Sequence, residues 1–147
     1  MIALSAEAID PALLLAEFTR GVGDAGAVVS FSGFVRRDHD VTGLWLDYHE
    51  LLTLRAIEAL GVAMRARFGL SGVAIVHRVG AVGVGEPIVF VAAAATHRRA
   101  AFNAVDFAMD QLKSAVPLWK KETRGYDQRW IEARAQDRDD AARWEQE

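Results

Sequence analysis

The sequence predicts an α+β domain, and three observations carry that expectation. The hydrophobic period switches repeatedly between two and about 3.6, giving the order helix, two strands, helix, two strands, helix, strand, helix. That order lacks the strand–helix alternation of a parallel doubly wound sheet, and no glycine-rich strand-to-helix turn recommends one. A chain of 147 residues without repeat, linker or low-complexity tract favours one domain over residues 1–147.

Residues 8–20 place Ile9, Leu13, Leu14 and Phe18 at helical spacing, with Asp10 as N-cap and Pro11 in the first turn. After a loop over 21–26, residues 27–36 alternate Val29, Phe31, Gly33 and Val35 as a strand. Residues 37–42 are polar loop. Leu44, Leu46 and Tyr48 then alternate with Trp45, Asp47 and His49 in a second strand. From 50 to 68 the period is helical, with Leu51, Leu54, Ile57, Leu60, Met64 and Phe68 on one face and Gly69 as the stop. Gly61 inside this helix costs about 1 kcal/mol relative to alanine, which points to close packing there. Strands follow at 73–78 and 87–95, with Gly83-Val84-Gly85 expected as a hairpin turn between them. Thr96 is the expected cap of a helix over 97–115, which Pro117 ends. A strand at 129–133 and a charged helix at 137–145 complete the chain.

Composition narrows the function. No cysteine is present, so disulfides, thiolate metal sites and a persulfide carried on this chain are excluded. If the reaction moves sulfur, a partner must supply it. No apolar run reaches the roughly 18 residues of a membrane span, and the first residues lack a signal-peptide pattern, so a cytoplasmic location is expected. The net charge is -3, yet the stretch from His97 to Arg124 carries six basic residues against three acidic ones. A local positive island on an acidic chain suits a small anion better than a nucleic acid, which wants a broader basic face. Positive charge is otherwise supplied by arginine, and all three lysines fall at 113, 120 and 121. An ammonium can lose its proton when desolvated, whereas a guanidinium effectively cannot.

The helix over 97–115 has Phe102, Val105, Met109 and Leu112 on its apolar side and Arg99, Asn103, Asp106, Asp110 and Lys113 along a polar stripe. An ordinary ion pair between Asp110 and Lys113 would account for the latter on its own. Lys120 lies beyond the Pro117 bend, which could turn both ammonium groups toward one pocket, with Trp119 anchoring the turn in the core. Two facing lysines depress each other's pKa. His97 and Arg98 stand at the helix start, where backbone N–H groups favour anions. Arg36 could complete a positive pocket or be a solvated strand end. His77 and Arg78 are expected to be structural or to line an interface, and Trp130 and Trp144 to be packing residues. Asp38, His39 and Asp40 find no second ligand pair of matching spacing, so no metal is expected.

Together these segments resemble a known family. Residues 26–36, His77-Arg78-Val79-Gly80, Gly85-Glu86, His97-Arg98, Met109-Asp110-Gln111-Leu112-Lys113 and Pro117-Leu118-Trp119-Lys120-Lys121-Glu122 are similar, in order and spacing, to the molybdopterin synthase large subunits. The resemblance runs from about Gly26 to Trp144. It implies a hammerhead-like α/β fold with an added α+β portion and mixed or antiparallel sheets. It also implies a homodimer at the centre of a heterotetramer, with a small ubiquitin-like subunit at each end. That subunit's C-terminal Gly-Gly tail would carry a thiocarboxylate. The implied reaction converts cyclic pyranopterin monophosphate to molybdopterin by two sulfur transfers, with no cofactor and no nucleic acid or membrane partner.

Position by position, the resemblance assigns catalysis to Lys113 and Lys120. Lys120 would move a proton or make covalent contact at the reacting centre, and Lys113 would stabilise negative charge and orient the thiocarboxylate. Arg36, His97 and Arg98 match the anion-binding positions, Arg98 coming from either protomer. Phe31 and Met109 would line the pocket, and Glu122 would orient a lysine. Two other readings compete: a non-catalytic dimer holding a phosphorylated metabolite or a partner's C-terminus, and an RNA- or nucleotide-binding domain. The latter needs exposed aromatics interleaved with the basic residues.

Overall fold

A computed structural model describes residues 1–145. The expected α+β class is the observed one, with a mixed sheet and an antiparallel sheet of four strands each. In chain order the elements are β1 (Ile2–Ser5), α1 (Pro11–Gly21), β2 (Ala27–Phe34), β3 (Val41–Tyr48), α2 (Glu50–Phe68) and β4 (Gly72–Arg78). Then follow β5 (Gly80–Gly83), β6 (Pro87–Ala95), α3 (Arg98–Ser114), β7 (Leu118–Arg124), β8 (Asp127–Ile131) and α4 (Ala135–Ala142), with a 3-10 turn at Arg143–Glu145.

The mixed sheet runs β1-β4-β6-β2, with β1 parallel to β4 and the other pairs antiparallel. Its strands bury both faces. Ala74, Val76, Phe90, Ala92 and Ala94 pack under α1 around Phe18, while Val73, Ile75, Val89, Val91 and Ala93 meet α2 and α3 in the larger core. Alternation along the strands sends successive side chains to opposite faces, so two cores share one sheet. The second sheet runs β5-β3-β7-β8, entirely antiparallel. Leu46 and Val82 close its inner face against the larger core.

The helix ends follow the local chemistry. Asp10 Oδ1 accepts from the N–H groups of Ala12 at 2.9 Å and Leu13 at 3.2 Å, capping α1 as expected. Gly69 ends α2 with a φ of 61°. A Cβ on Gly61 would stand 3.0 Å from Ile2 Cδ1, so α2 is closely packed there on β1. Helix α3 departs from expectation: its cap position is His97 rather than Thr96, and no side chain caps its first turn.

Three strands are additions to the sequence reading. β1 is only Ile2–Ser5, too short to show a period, and exists because β4 offers it an edge. The Met1 ammonium just before it donates to the Val73 carbonyl at 3.0 Å. Gly80–Gly83 pairs with β3, so the link between β4 and β6 is no simple hairpin: it visits the second sheet before returning. The turn itself is present, with Gly85 at a φ of 85° and the Glu86 N–H donating to the Gly83 carbonyl at 3.1 Å. β7 takes up Leu118–Arg124, and β8 lies two residues earlier than expected. Trp119 is not a core anchor: it is 51 % exposed. The Pro117 bend is held instead by Thr53, whose buried hydroxyl donates to the Pro117 carbonyl at 2.8 Å.

Candidate active site

Strand pairing decides which lysine points inward. Cross-strand partners share a face, and Lys120 stands between Leu46 of β3 and Ile131 of β8. Leu46 is fully buried, so the Lys120 stem follows it toward the interior. Lys121 is on the other face, between Trp45 and Trp130, with its Nζ 4.1 Å from the Trp130 ring centroid. Trp130 is therefore an exposed cation–π partner rather than a packing residue. Burial lowers the Lys120 pKa, the Lys113 ammonium lowers it further, and Asp137 opposes both. An amine held this way loses its proton more readily than a lysine in water.

Lys113, in the last turn of α3, reaches Asp137 of α4 at 3.3 Å. The ion pair with Asp110 does not form. Asp110 Oδ2 accepts instead from Arg143 Nη2 and Trp144 Nε1, each at 2.7 Å. Trp144 is a packing residue as expected: it is 8 % exposed, and its ring meets Phe107 and Phe68 edge-on at 5.4 and 6.0 Å. The C-terminal segment thus docks on α3 and brings Asp137 to the lysine pair.

The remaining expected residues do not all converge. Phe31 of β2 and Met109 of α3 line one open hollow of about 640 Å³, together with Arg99, Phe102 and Asn103. His97 and Arg98 begin α3, whereas Lys113 ends it. Fifteen residues of helix separate Arg98 from Lys113 by about 22 Å. Within one chain they cannot share a small pocket. Arg36 is exposed just beyond β2. Glu122 does not reach a lysine: its carboxylate accepts from Arg124 Nη2 at 3.0 Å, and Arg124 also pairs with Asp40 at 2.7 Å.

Four residues near these groups were not singled out as site residues. Thr53 and Asp137 act across long sequence separations, which no local pattern displays. Arg99 and Asn103 were visible on the polar stripe of α3 but not their shared hollow with Phe31. Among the described residues no group of three or more His, Asp or Glu is placed to hold a metal ion.

A family model described as MoaE protein matches residues 4–115, more than half of the chain. A molybdopterin synthase catalytic subunit from Caulobacter vibrioides is 44% identical over 148 residues, covering 100% of this chain and 99% of that protein. The chain belongs to the MoaE family. Its function is that of the family's catalytic subunits: sulfur transfer in molybdenum cofactor biosynthesis. The family model stops before Lys120, but the alignment with the Caulobacter protein continues through it. The solved molybdopterin cofactor biosynthesis protein E from Burkholderia multivorans has the same fold, with a TM-score of 0.85 and 35% identity over 99% of this chain and 96% of that one. A complex of subunits 1 and 2 of molybdopterin-converting factor from Helicobacter pylori matches at a TM-score of 0.81 and 21% identity, over 90% of this chain and 91% of that chain. That likeness concerns the fold.

Proposed function

We propose that this MoaE chain takes sulfur from the C-terminal Gly-Gly thiocarboxylate of a small ubiquitin-like subunit and places it on cyclic pyranopterin monophosphate. The observation that carries the reading is the lysine pair: an inward Lys120 with a lowered pKa, beside an outer Lys113. An anionic tail entering this pocket would meet the Lys113 ammonium, displacing Asp137 from it. As the tail's sulfur bonds to a pterin side-chain carbon, the C–O bond at that carbon breaks and its oxygen leaves on the phosphate or as water, so that tail and substrate are joined through an acyl–sulfur bond. Water must then cleave that bond, leaving sulfur on the pterin and a carboxylate on the tail. A Lys120 amine can take the proton that this addition releases. A second tail repeats the sequence to complete the dithiolene.

His97 and Arg98 enter this proposal from the second protomer of a homodimer. Their distance from Lys113 along α3 supports that placement, and their uncapped helix start suits the substrate phosphate. Arg36, Phe31 and Met109 complete the substrate pocket. Glu122 acts through Arg124 rather than directly on a lysine. A small subunit at each end makes the assembly a heterotetramer, and the Helicobacter pair of subunits supports the partnership. A cytoplasmic location belongs to the same proposal. No helix of the described residues is long and apolar enough to cross a membrane.

A reconstituted turnover assay tests the reading. The protein is mixed with thiocarboxylated small subunit and cyclic pterin phosphate, and the dithiolene pterin is detected as its fluorescent oxidised form. Product from wild type and a loss of about 100-fold or more in Lys120→Ala are expected. A folded wild type that binds the small subunit without forming product would favour the non-catalytic binding module. Full activity in both Lys120→Ala and Lys113→Ala would remove the assigned mechanism while leaving the family.

A further inference from the structure

The proposed reaction leaves a buried histidine without a role. His77, near the end of β4, is 6 % exposed. Its register neighbours are Leu4 and Val89, which puts it on the face of the mixed sheet that carries Ile75 and Val91. That face looks into the larger core. Lys120 enters the same interior from the antiparallel sheet, beside Leu46. Three residues beyond His77, Gly80 pairs with Leu46, whose other cross-strand partner is Lys120, so the register brings the ends of the two sheets that carry these side chains together.

The tautomer of His77 follows from its one hydrogen bond. Nδ1 lies 2.7 Å from the carbonyl oxygen of Arg78. A carbonyl oxygen can only accept, so Nδ1 carries the proton and Nε2 keeps a lone pair. Burial pushes the His77 pKa down to about 4; the bond to Arg78 opposes this, and the positive charge of Lys120 adds to it. The imidazole is thus neutral at physiological pH and lies within electrostatic reach of the lysine. The other charged groups nearby are Lys113 and Asp137, which act on Lys120, and Arg78 with Glu86 at the strand end, 3.4 Å apart.

We propose that His77 is a positioning residue for Lys120: with Nδ1–H fixed on the Arg78 carbonyl, it keeps a free Nε2 lone pair for an N–H of the lysine to take up when the site fills, which aims the amine at the reacting centre. A neutral acceptor suits the task. A carboxylate there would hold the lysine as a tight ammonium, and an apolar side chain would leave its nitrogen undirected. The proposal rests on Lys120 being the reacting amine.

Two isosteric variants separate this role from a purely structural one. The amide nitrogen of His77→Asn can replace Nδ1–H, but nothing replaces Nε2. The longer His77→Gln can reach the Nε2 position and gives up the Nδ1 geometry. The full-length protein is acetylated over a pH series with isotopically labelled acetic anhydride, and the midpoint for Lys120 is read by mass spectrometry with Lys121 as internal comparator. The Lys120 midpoint should fall by about one pH unit in His77→Asn, because the ammonium has lost its acceptor, and stay near wild type in His77→Gln. In the turnover assay, kcat should fall about tenfold or more in His77→Asn with little change in KM. An unchanged midpoint in His77→Asn, or a midpoint moved only by His77→Gln, overturns the proposal. Should either variant not fold, ¹⁵N NMR of wild type decides: the neutral Nδ1–H tautomer is expected, with an Nε2 resonance that moves in Lys120→Ala. The opposite tautomer, or an unmoved resonance, also overturns it. Activity retained in Lys120→Ala would instead defeat the catalytic reading, while the acetylation midpoints still report on the His77–Lys120 contact.

Discussion

Lys120 and Lys121 are adjacent in the chain and opposite in environment. One turns inward beside Leu46 and the other lies over the Trp130 ring, because successive strand residues face opposite sides of a sheet. Burying the Lys120 amine carries a cost in stability. Its folded pKa is lowered, so at neutral pH, where the unfolded lysine is protonated, folding opposes its charge. Lys120→Met should therefore raise Tm while abolishing turnover, a trade that calorimetry and the sulfur-transfer assay can read together. His77 gives a pH signature of its own. Its folded pKa of about 4 lies below an ordinary value of 6.5, so between those values the unfolded chain binds a proton that the folded one refuses. Stability attributable to His77 is thus complete above about pH 6.5 and declines as pH falls toward 4, by about 3 kcal/mol in all. Urea titrations from pH 7.5 to 4.5 should show a shallower decline in His77→Gln than in wild type. An equal slope in both would mean that His77 protonates freely in the folded protein.

At the scale of elements, the pocket is assembled by segments that are weak alone. β7 carries Lys-Lys-Glu-Thr-Arg, which no propensity argument reads as a strand, and it becomes one by pairing with β3 and β8. The bend before it is tied to α2 by the Thr53 hydroxyl, which also accepts from the His49 N–H at 3.2 Å. Thr53→Val leaves both backbone groups without that partner and should cost about 1–3 kcal/mol in chemical denaturation. Helix α4 has no buried residue and is held to α3 through Trp144, Arg143 and Asp137. Trp144→Ala should release it. Limited proteolysis should then cut the C-terminal segment faster, and Tm should fall by several degrees. Unchanged protection would show that the ion pairs of Asp137 with Lys113 and of Arg143 with Asp106 and Asp110 suffice.

The whole molecule is where the proposed anion-binding residues and the lysines must be reconciled. Arg98 and Lys113 occupy opposite ends of α3, so a pocket containing both needs two copies of the chain. Mixing inactive Lys120→Ala with inactive Arg98→Ala protomers tests this directly. Random pairing places half the molecules in mixed dimers, each with one site carrying both changes and one carrying neither. Activity should recover to about a quarter of wild type if the site is shared. No recovery in dimers shown to have exchanged would place the whole site within one chain.

Much was legible from residues alone. The α+β class and all four helices followed from periodicity and capping residues, and the family from the resemblance carried by His97-Arg98, Met109 to Lys113 and Pro117 to Glu122. These signals are local, since a helix reads its own hydrogen bonds and caps within a few residues of sequence. The strands β1, β5 and β7, the exposure of Trp119, the exchange of Asp110 for Asp137 as the partner of Lys113, and the burial of His77 on the core face of its sheet were decided only in three dimensions. Each depends on an edge, a face or a charge supplied by residues far away in the chain. Pairing register and burial set those contacts, and one chain position shifts a side chain from core to solvent. The sequence determined which family the chain belongs to; the packing of two sheets decided which of two adjacent lysines faces inward.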